Sequence, residues 1–168
     1  GLRGRNPARM RSFLITEELT GTTSLEDLAA VWAVRPPSSR LRHALIEQVA
    51  AIARRMHAHG LNHRDCYLCH FHLDLASAHE PVDPTRLRLY VIDLHRAQVR
   101  RCTPRRWVIK DLAGLYFSSL AGGTLTRADR WRFIRAYEQQ PLRRILRERA
   151  AFWRRVDRTA LSLHRRLH

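Results

Sequence analysis

One pattern limits the fold of this chain more than any other: a long amphipathic helix that ends at a glycine and gives way to a polar loop. Apolar side chains recur at steps of three and four through residues 39–59, which predicts a helix with one buried face. That face consists of Leu41, Leu45, Val49, Ile52 and Met56. Gly60 is suited to end the helix. Residues 61–71 follow neither the helical period of 3.6 residues nor the strand period of two, which predicts a loop.

Shorter elements are predicted around this unit. Residues 87–92 alternate and then become apolar, which predicts a half-buried strand that ends at Asp93, after a polar connection over 74–86. Further predictions are a strand at 12–16, a helix at 24–34, and helices following Pro104, Thr126 and Pro141. With 168 residues, of which 45% are hydrophobic, the chain suits a single, mostly helical domain.

The charge is distributed unevenly along the chain. Residues 1–99 carry 13 basic and 10 acidic side chains, a balance of +3, whereas residues 100–168 carry 18 and 5, a balance of +13. Lys110 is the single Lys among them, and the planar guanidinium of Arg binds phosphate and carboxylate groups well. A GC-rich codon usage accounts for the preference for Arg over Lys but not for the small number of acidic side chains. We therefore expect an anionic partner for the second part of the chain.

Weaker features of the sequence indicate the cellular compartment of the protein and whether the chain is complete. No apolar run approaches the ~18 residues of a membrane span. Three cysteines, an odd number, do not indicate a disulfide framework and favour a reducing cytoplasm. The first residues include neither an initiator Met nor an apolar signal region. We expect the chain to be part of a longer protein.

The loop at 63–70 reads His-Arg-Asp-Cys-Tyr-Leu-Cys-His and supports two chemistries. His-Arg-Asp is typical of phosphotransfer loops, in which the Asp orients an acceptor hydroxyl and takes its proton while magnesium bridges the phosphates. Asp65 would be that base, and Asp93 lies where a magnesium ligand is needed. The sequence thus predicts a phosphotransfer site that joins this loop to the end of the strand.

The same loop also contains Cys-x-x-Cys-His, the attachment motif for c-type haem. A zinc site is the other metal alternative, with the ligands Cys66, Cys69, His70 and His72. In a third interpretation the two cysteines are small apolar side chains buried beside the loop. We favour the third, because no export signal, distal Met or second ligand pair is evident.

Asp111 lies within an apolar helical pattern. A carboxylate there is costly to bury unless it is hydrogen-bonded. Either it faces solvent and pairs with an Arg, or it is buried and accepts backbone N–H groups from the loop that bears Asp65. The sequence leaves both possibilities open.

These segments together resemble the lipopolysaccharide core heptose I kinase family, of the eukaryotic-protein-kinase-like superfamily. The resemblance covers about a third of the chain and is carried by Gly-Leu-Asn-His-Arg-Asp-Cys-Tyr-Leu-Cys-His-Phe at 60–71, Val-Ile-Asp-Leu-His-Arg-Ala at 91–97, Trp107, and Lys-Asp-Leu-Ala-Gly-Leu-Tyr-Phe-Ser at 110–118. It implies an α+β, mostly α fold: a kinase-like C-lobe in which short strands carry the catalytic and metal loops.

The resemblance also implies a division of the chain. Residues 1–22 would be the end of the N-lobe and the hinge, and residues 23–168 the helical C-lobe. A glycine-rich phosphate loop and a strand Lys would precede residue 1, so we expect most of the N-lobe to be absent and this chain alone to be inactive.

By the resemblance the cofactors are ATP and Mg²⁺. Asp65 would be the base, and Asp93 would bind the metal together with His70, which replaces the usual Asn. Tyr67 replaces the loop Lys that protein kinases place near the transferred phosphate, so an Arg elsewhere is expected to supply that charge. The remaining implied roles are loop support by His63, Arg64 and Asp111, and adenine contacts at Thr16, Glu17 and Leu19.

The implied acceptor is a heptose of the lipopolysaccharide inner core in a Gram-negative bacterium. Anionic groups around this acceptor are expected to bind Arg100, Arg101, Arg105 and Arg106. The Arg-rich helices from Arg127 onward would rest on the anionic cytoplasmic face of the inner membrane or on an acidic protein. A basic nucleic-acid-binding helical module is the alternative class, less favoured because no recognition-helix motif or stacking platform is visible.

Overall fold

Helices account for most of the structure, a computed structural model that describes residues 2–3, 11–12, 17–120 and 123–167. The helices in these ranges are α1 (Leu25–Ala30), α2 (Ser39–Ala58), α3 (Arg105–Leu120), α4 (Arg127–Glu138), α5 (Leu142–Glu148) and α6 (Ala150–Leu167). The strands are β1 (Leu2–Arg3), β2 (Arg11–Ser12), β3 (Thr22–Ser24), β4 (Leu61–Asn62), β5 (Phe71–Asp74), β6 (Leu89–Val91) and β7 (Gln98–Val99). The α+β, mostly α prediction is confirmed.

All strand pairs are antiparallel in the described ranges. β1 pairs with β2, β5 lies between β3 and β6, and β4 pairs with β7. Phe71 is opposite Val91, and just beyond them the amide of Ile92 donates to the carbonyl of His70 over 3.0 Å. This pairing brings the end of the polar loop beside the strand end that carries Asp93.

The helical core forms where α2 packs on α4 and α3 packs on α6. On α2 the buried positions include Leu45 and Val49 of the predicted face, but also the fully buried Ala50 and Ala53, whose small side chains allow a close approach. A cavity of about 430 Å³ lies among α1, α2, α3, α4 and α6, lined mainly by apolar side chains such as Leu112 and Trp153. None of the helices in the described ranges has the length and apolarity needed to cross a bilayer.

Helix ends follow the capping chemistry of the sequence. Ser24 accepts from the amide of Asp27, and Thr126 and Asp129 form a reciprocal capping box at the start of α4. The first helix is shorter than predicted: it ends at Ala30, and residues 31–34 form turns. Residues 13–16 of the predicted first strand lie outside the described residues.

Five of the described strands, β1, β3, β4, β5 and β7, were not predicted, and β5 is the longest of them. β5 runs through the junction between the predicted loop and the predicted polar connection, with Phe71 and Leu73 buried and His72 half-buried. Only four residues long, it forms because β3 and β6 satisfy its backbone on both sides, and neither neighbour is adjacent in sequence. Its register positions the site described next.

Candidate active site

The loop that bears Asp65 is held by the buried carboxylate of Asp111. This side chain, on α3, has no solvent exposure. Its Oδ2 accepts from the amide of His63 over 2.7 Å, and its Oδ1 accepts from the amide of Arg64 over 2.8 Å. These charge-assisted hydrogen bonds offset the cost of burying the carboxylate. Of the two environments that the sequence left open for Asp111, the structure therefore shows the buried one.

A second support reaches Asp111 from α2. Nε2 of His57 lies 3.3 Å from Oδ2 of Asp111, and its Nδ1 lies 2.9 Å from the hydroxyl of Tyr137 on α4. A carboxylate oxygen only accepts, so Nε2 carries the proton and Nδ1 accepts from Tyr137. Burial raises the pKa of Tyr137, which keeps its hydroxyl protonated. This buried chain links three helices to the loop, and the sequence pattern did not reveal it.

The loop itself is tightly packed against its neighbours. The His63 ring is buried, donates from Nε2 to the carbonyl of Ile92 over 3.0 Å, and stacks on His70 with ring centroids 5.5 Å apart. Arg64 takes a left-handed backbone conformation (φ +76°) and lays its guanidinium over Trp107. On α3, an added Cβ at Gly114 would lie 2.7 Å from the Cys66 carbonyl. Glycine is therefore needed where the loop crosses α3.

Asp65 is accessible and paired. Its side chain is 16% exposed, and its Oδ1 accepts from Nη1 of Arg96 over 3.0 Å. The Asp65 carbonyl accepts from the Tyr67 amide over 3.0 Å and from Nδ1 of His70 over 2.7 Å. The carboxylate is thus fixed in position through Oδ1, and its Oδ2 has no hydrogen-bond partner among the described residues.

Asp93 lies beside this loop and is held as a carboxylate. Its backbone is left-handed (φ +59°), and its side chain is 41% exposed. A hydrogen bond from Nδ1 of His95, aided by the charges of His95, His70 and His63, keeps the pKa of Asp93 below its usual range. Nε2 of His70 lies 3.4 Å from Oδ2 of Asp93. His70 therefore contacts both candidate acidic residues.

The donor set at Asp93 is compatible with a divalent cation. Nδ1 of His70 donates to the Asp65 carbonyl, so Nε2 is the ring nitrogen that faces the Asp93 carboxylate, where it can donate a proton or bind a cation. Mg²⁺ is commonly bound by one or two carboxylates together with substrate phosphates. The exposed Asp93 carboxylate, with His70 beside it, fits that pattern.

The zinc alternative is not supported. Within the described ranges, no group of three or more His, Cys, Asp and Glu side chains is arranged to hold a metal ion. Burial, with a contribution from the charge of Asp111, raises the pKa of the Cys66 thiol well above its usual value. Cys69 is half-buried, its pKa is raised by burial and then by Glu26, and His72 is hydrogen-bonded to Thr22. The set Cys66, Cys69, His70 and His72 is therefore wrong as a zinc site.

The four arginines expected to bind the acceptor are not gathered at Asp65. Arg100 bonds to the side chains of Asn62 and Gln98, Arg105 and Arg106 lie over aromatic rings, and Arg101 is exposed. None of the four pairs with Asp65 or Asp93 in the described part of the chain. Arg96 instead pairs with Asp65. Its position three residues after Asp93 is the only sequence signal that could have indicated this contact.

Of the three residues expected at the hinge, two lie in the described part of the chain. Thr16 lies outside the described residues. Glu17 and Leu19 are exposed, in a segment without regular secondary structure that precedes β3. Their exposure leaves them accessible to a ligand.

Comparison with known proteins gives consistent matches. Residues 1–137 match the model of the lipopolysaccharide kinase (Kdo/WaaP) family. The chain is 51% identical over 166 residues to the lipopolysaccharide core heptose(I) kinase WaaP of Pseudomonas aeruginosa, covering 99% of this chain and 60% of that protein. It is 48% identical over 168 residues to WaaP of Escherichia coli, covering 99% and 61%.

A solved structure agrees. The chain matches a structure described as WaaP in complex with acyl carrier protein, with a TM-score of 0.83 and 52% identity over 97% of this chain and 66% of that one. The chain spans about 60% of the length of the two curated relatives. On the family match, these identities and the shared fold, the chain belongs to the lipopolysaccharide kinase (Kdo/WaaP) family.

Proposed function

We propose that this chain provides the catalytic part of an ATP-dependent kinase that phosphorylates a heptose of the lipopolysaccharide inner core. The observation that carries the proposal is the convergence of Asp65 and Asp93 on the single ring of His70, which contacts the carbonyl of one and the carboxylate of the other. In protein kinases, an Asp that accepts the hydroxyl proton works together with an Asp that binds Mg²⁺. Two curated relatives are named as heptose(I) kinases.

In the proposed reaction, Asp65 accepts the proton of the heptose hydroxyl as its oxygen bonds to the γ-phosphorus of ATP and the bond to ADP breaks. Asp111 keeps the loop in place through the amides of His63 and Arg64, which limits movement of the base. Asp93 and His70 would hold Mg²⁺, which when bound neutralises charge on the phosphates.

The remaining roles are assigned by resemblance and local exposure. Residues 1–22 would form the end of the N-lobe and the hinge, with Thr16, Glu17 and Leu19 facing adenine, and residues 23–168 the helical lobe. The exposed Arg101 and its neighbours Arg100, Arg105 and Arg106 would meet anionic groups that surround the acceptor. Action on this lipid implies the cytoplasmic face of the inner membrane.

We further propose that α6 binds an acidic partner protein. This helix carries five exposed arginines that make no ion pair in the described part of the chain. These are Arg154, Arg155, Arg158, Arg165 and Arg166. The opposite face is buried through Phe152, Trp153 and Val156. The solved structure that this chain matches is of WaaP in complex with acyl carrier protein, and a protein of that kind is the proposed partner.

Transfer of labelled phosphate from ATP to core oligosaccharide by the full-length protein tests the kinase proposal. Because Asp65→Asn removes the base, we expect kcat to fall by about 10²–10⁴-fold. Asp74→Asn is the matched control, since Asp74 is 13% exposed and pairs with Arg88 much as Asp65 pairs with Arg96. An Asp65→Asn variant that works at the wild-type rate would refute the assignment.

A further inference from the structure

Arg96 forms an ion pair with the carboxylate of the proposed base. Its Nη1 donates to Oδ1 of Asp65 over 3.0 Å, while Tyr67, two residues after Asp65, places a neutral side chain where a protein-kinase loop carries Lys. We propose that Arg96 is a further catalytic residue: it orients the Asp65 carboxylate and, in the transition state, binds an oxygen of the transferred phosphoryl group. This inference rests on the proposed kinase function.

The backbone fixes Arg96 on both sides. On one side it completes a short 3₁₀ turn, Leu94–Arg96, which begins directly after Asp93 and is closed by the hydrogen bond from the Ala97 amide to the Leu94 carbonyl over 3.0 Å. On the other side β7 pairs with β4, the strand that leads into the catalytic loop. Arg96 is therefore tied to the metal-site residue and to the loop at the same time.

The contact to Asp65 uses only part of the guanidinium. Nη2 and Nε of Arg96 have no hydrogen-bond partner within the described ranges. The side chain is 47% exposed, whereas Asp65 is 16% exposed. Because Arg presents five donors in a planar fork, one edge can hold Asp65 while the remaining donors meet an incoming anion.

Stability does not account for the placement of this arginine. An ion pair with one partner half exposed contributes little to folding, because solvent screens it and side-chain entropy opposes it. Arg96 makes no other hydrogen bond that would hold the fold in the described part of the chain. A cation that contacts the proposed base, on a turn that begins directly after Asp93, instead suits an electrostatic role in the reaction.

The chemistry of the step defines that role. The hydroxyl oxygen of the acceptor forms a bond to the γ-phosphorus, the bond from that phosphorus to the bridging oxygen of ADP breaks, and the hydroxyl proton passes to Asp65. Negative charge on the transferred group is spread over its three outer oxygens in the transition state, where a positioned Arg is most effective. ATP and the alcohol become ADP and a phosphate ester, with no other reactant.

Two substitutions test the assignment by kinetics in the full-length protein. We expect Arg96→Gln to lower kcat at least about 100-fold, with the KM for ATP changed by less than about threefold, and Arg96→Lys to recover part of the loss. Arg88→Gln is the matched control, because Arg88 forms a similar exposed pair with Asp74. Arg96→Gln and Arg88→Gln should both melt at the wild-type temperature.

Calorimetric measurement of nucleotide binding tests the role of Arg96 without depending on turnover. MgADP with aluminium fluoride mimics the transferred phosphoryl group, so Arg96→Gln should weaken its binding at least about tenfold and leave binding of MgADP alone unchanged. Equal affinity of wild type and variant for the aluminium fluoride complex would overturn the phosphoryl contact.

The kinetic outcomes separate this inference from the function on which it rests. A wild-type protein that transfers no phosphate contradicts the kinase proposal. An active wild type with an equally active Arg96→Gln variant overturns the role of Arg96 alone.

Discussion

At the scale of single residues, Asp111 has the largest consequences for its surroundings. It is fully buried and lies within hydrogen-bonding distance of three donors: the amides of His63 and Arg64, and the imidazole of His57. Removal of the carboxylate leaves these donors buried and unpaired. The loss is greater than the value of the individual hydrogen bonds, because each donor has already given up its water.

Two substitutions along this chain of contacts should differ in cost. We expect Asp111→Ala to lower the free energy of unfolding by about 3–5 kcal/mol, because three buried donors lose their acceptor. Tyr137→Phe should cost only about 1–2 kcal/mol, because it removes one outer hydrogen bond, from the Tyr137 hydroxyl to Nδ1 of His57. Urea unfolding of both variants measures the difference, and equal losses would contradict the central position of Asp111.

At the scale of elements, the two-residue pair of β4 and β7 determines where the loop begins. Gly60 precedes β4 with a left-handed backbone (φ +78°), and its carbonyl accepts from the Arg100 amide over 3.0 Å. A Cβ at Gly60 would lie 1.7 Å from the Arg100 carbonyl oxygen, so no side chain fits while this pair exists. The helix-ending glycine of the sequence pattern is therefore also required where the chain passes close to the Arg100 backbone.

A comparison of two glycines isolates this effect. Gly21→Ala should cost about 1 kcal/mol, because Gly21 has a positive φ but nothing within 4 Å of an added Cβ. Gly60→Ala should cost at least about 2 kcal/mol more, because the strand pair must separate, as in other severe steric substitutions. It should also lower kcat by moving the loop.

Thermal unfolding and phosphate transfer measure the two effects for both glycine variants. Similar melting temperatures for Gly60→Ala and Gly21→Ala would show that the strand pair yields easily and does not constrain the loop.

At the scale of the whole molecule, the formal net charge of +16 acts beyond any one contact. Five of the 31 basic side chains lie on the exposed face of α6, opposite the side chains that the helix buries in the core. A surface of one sign raises the rate and affinity of association with a partner of the opposite sign, and salt screens both effects. An acidic protein should therefore bind α6 strongly only at low ionic strength.

Charge reversal tests where such a partner binds. The double substitution Arg154→Glu and Arg158→Glu should weaken binding of acyl carrier protein at least about tenfold, because two attractive charges become repulsive. Arg35→Glu with Arg40→Glu is the control, since it makes the same change of charge at exposed positions away from α6. Titrations at two salt concentrations provide the measurement, and equal weakening by both pairs would mean that net charge, not α6, determines binding.

The sequence by itself determined the long helix α2, the helix that follows Thr126, and the positions of Asp65 in its loop and of Asp93 after its strand. These features depend on neighbours within a few residues, through helical spacing, capping hydrogen bonds and motif order. It also left Asp111 with two possible environments. Local pattern cannot choose between them, because burial depends on which distant segments pack against α3.

Only the tertiary structure decided the rest. The strand β5 exists because β3 and β6 satisfy its backbone from both sides, and the contact of Tyr137 with His57 joins residues 80 positions apart. The pairing of Arg96 with Asp65 joins two segments that β4 and β7 bring together. Long-range pairing sets the register of these strands, and the spacing of residues along the chain carries no information about it.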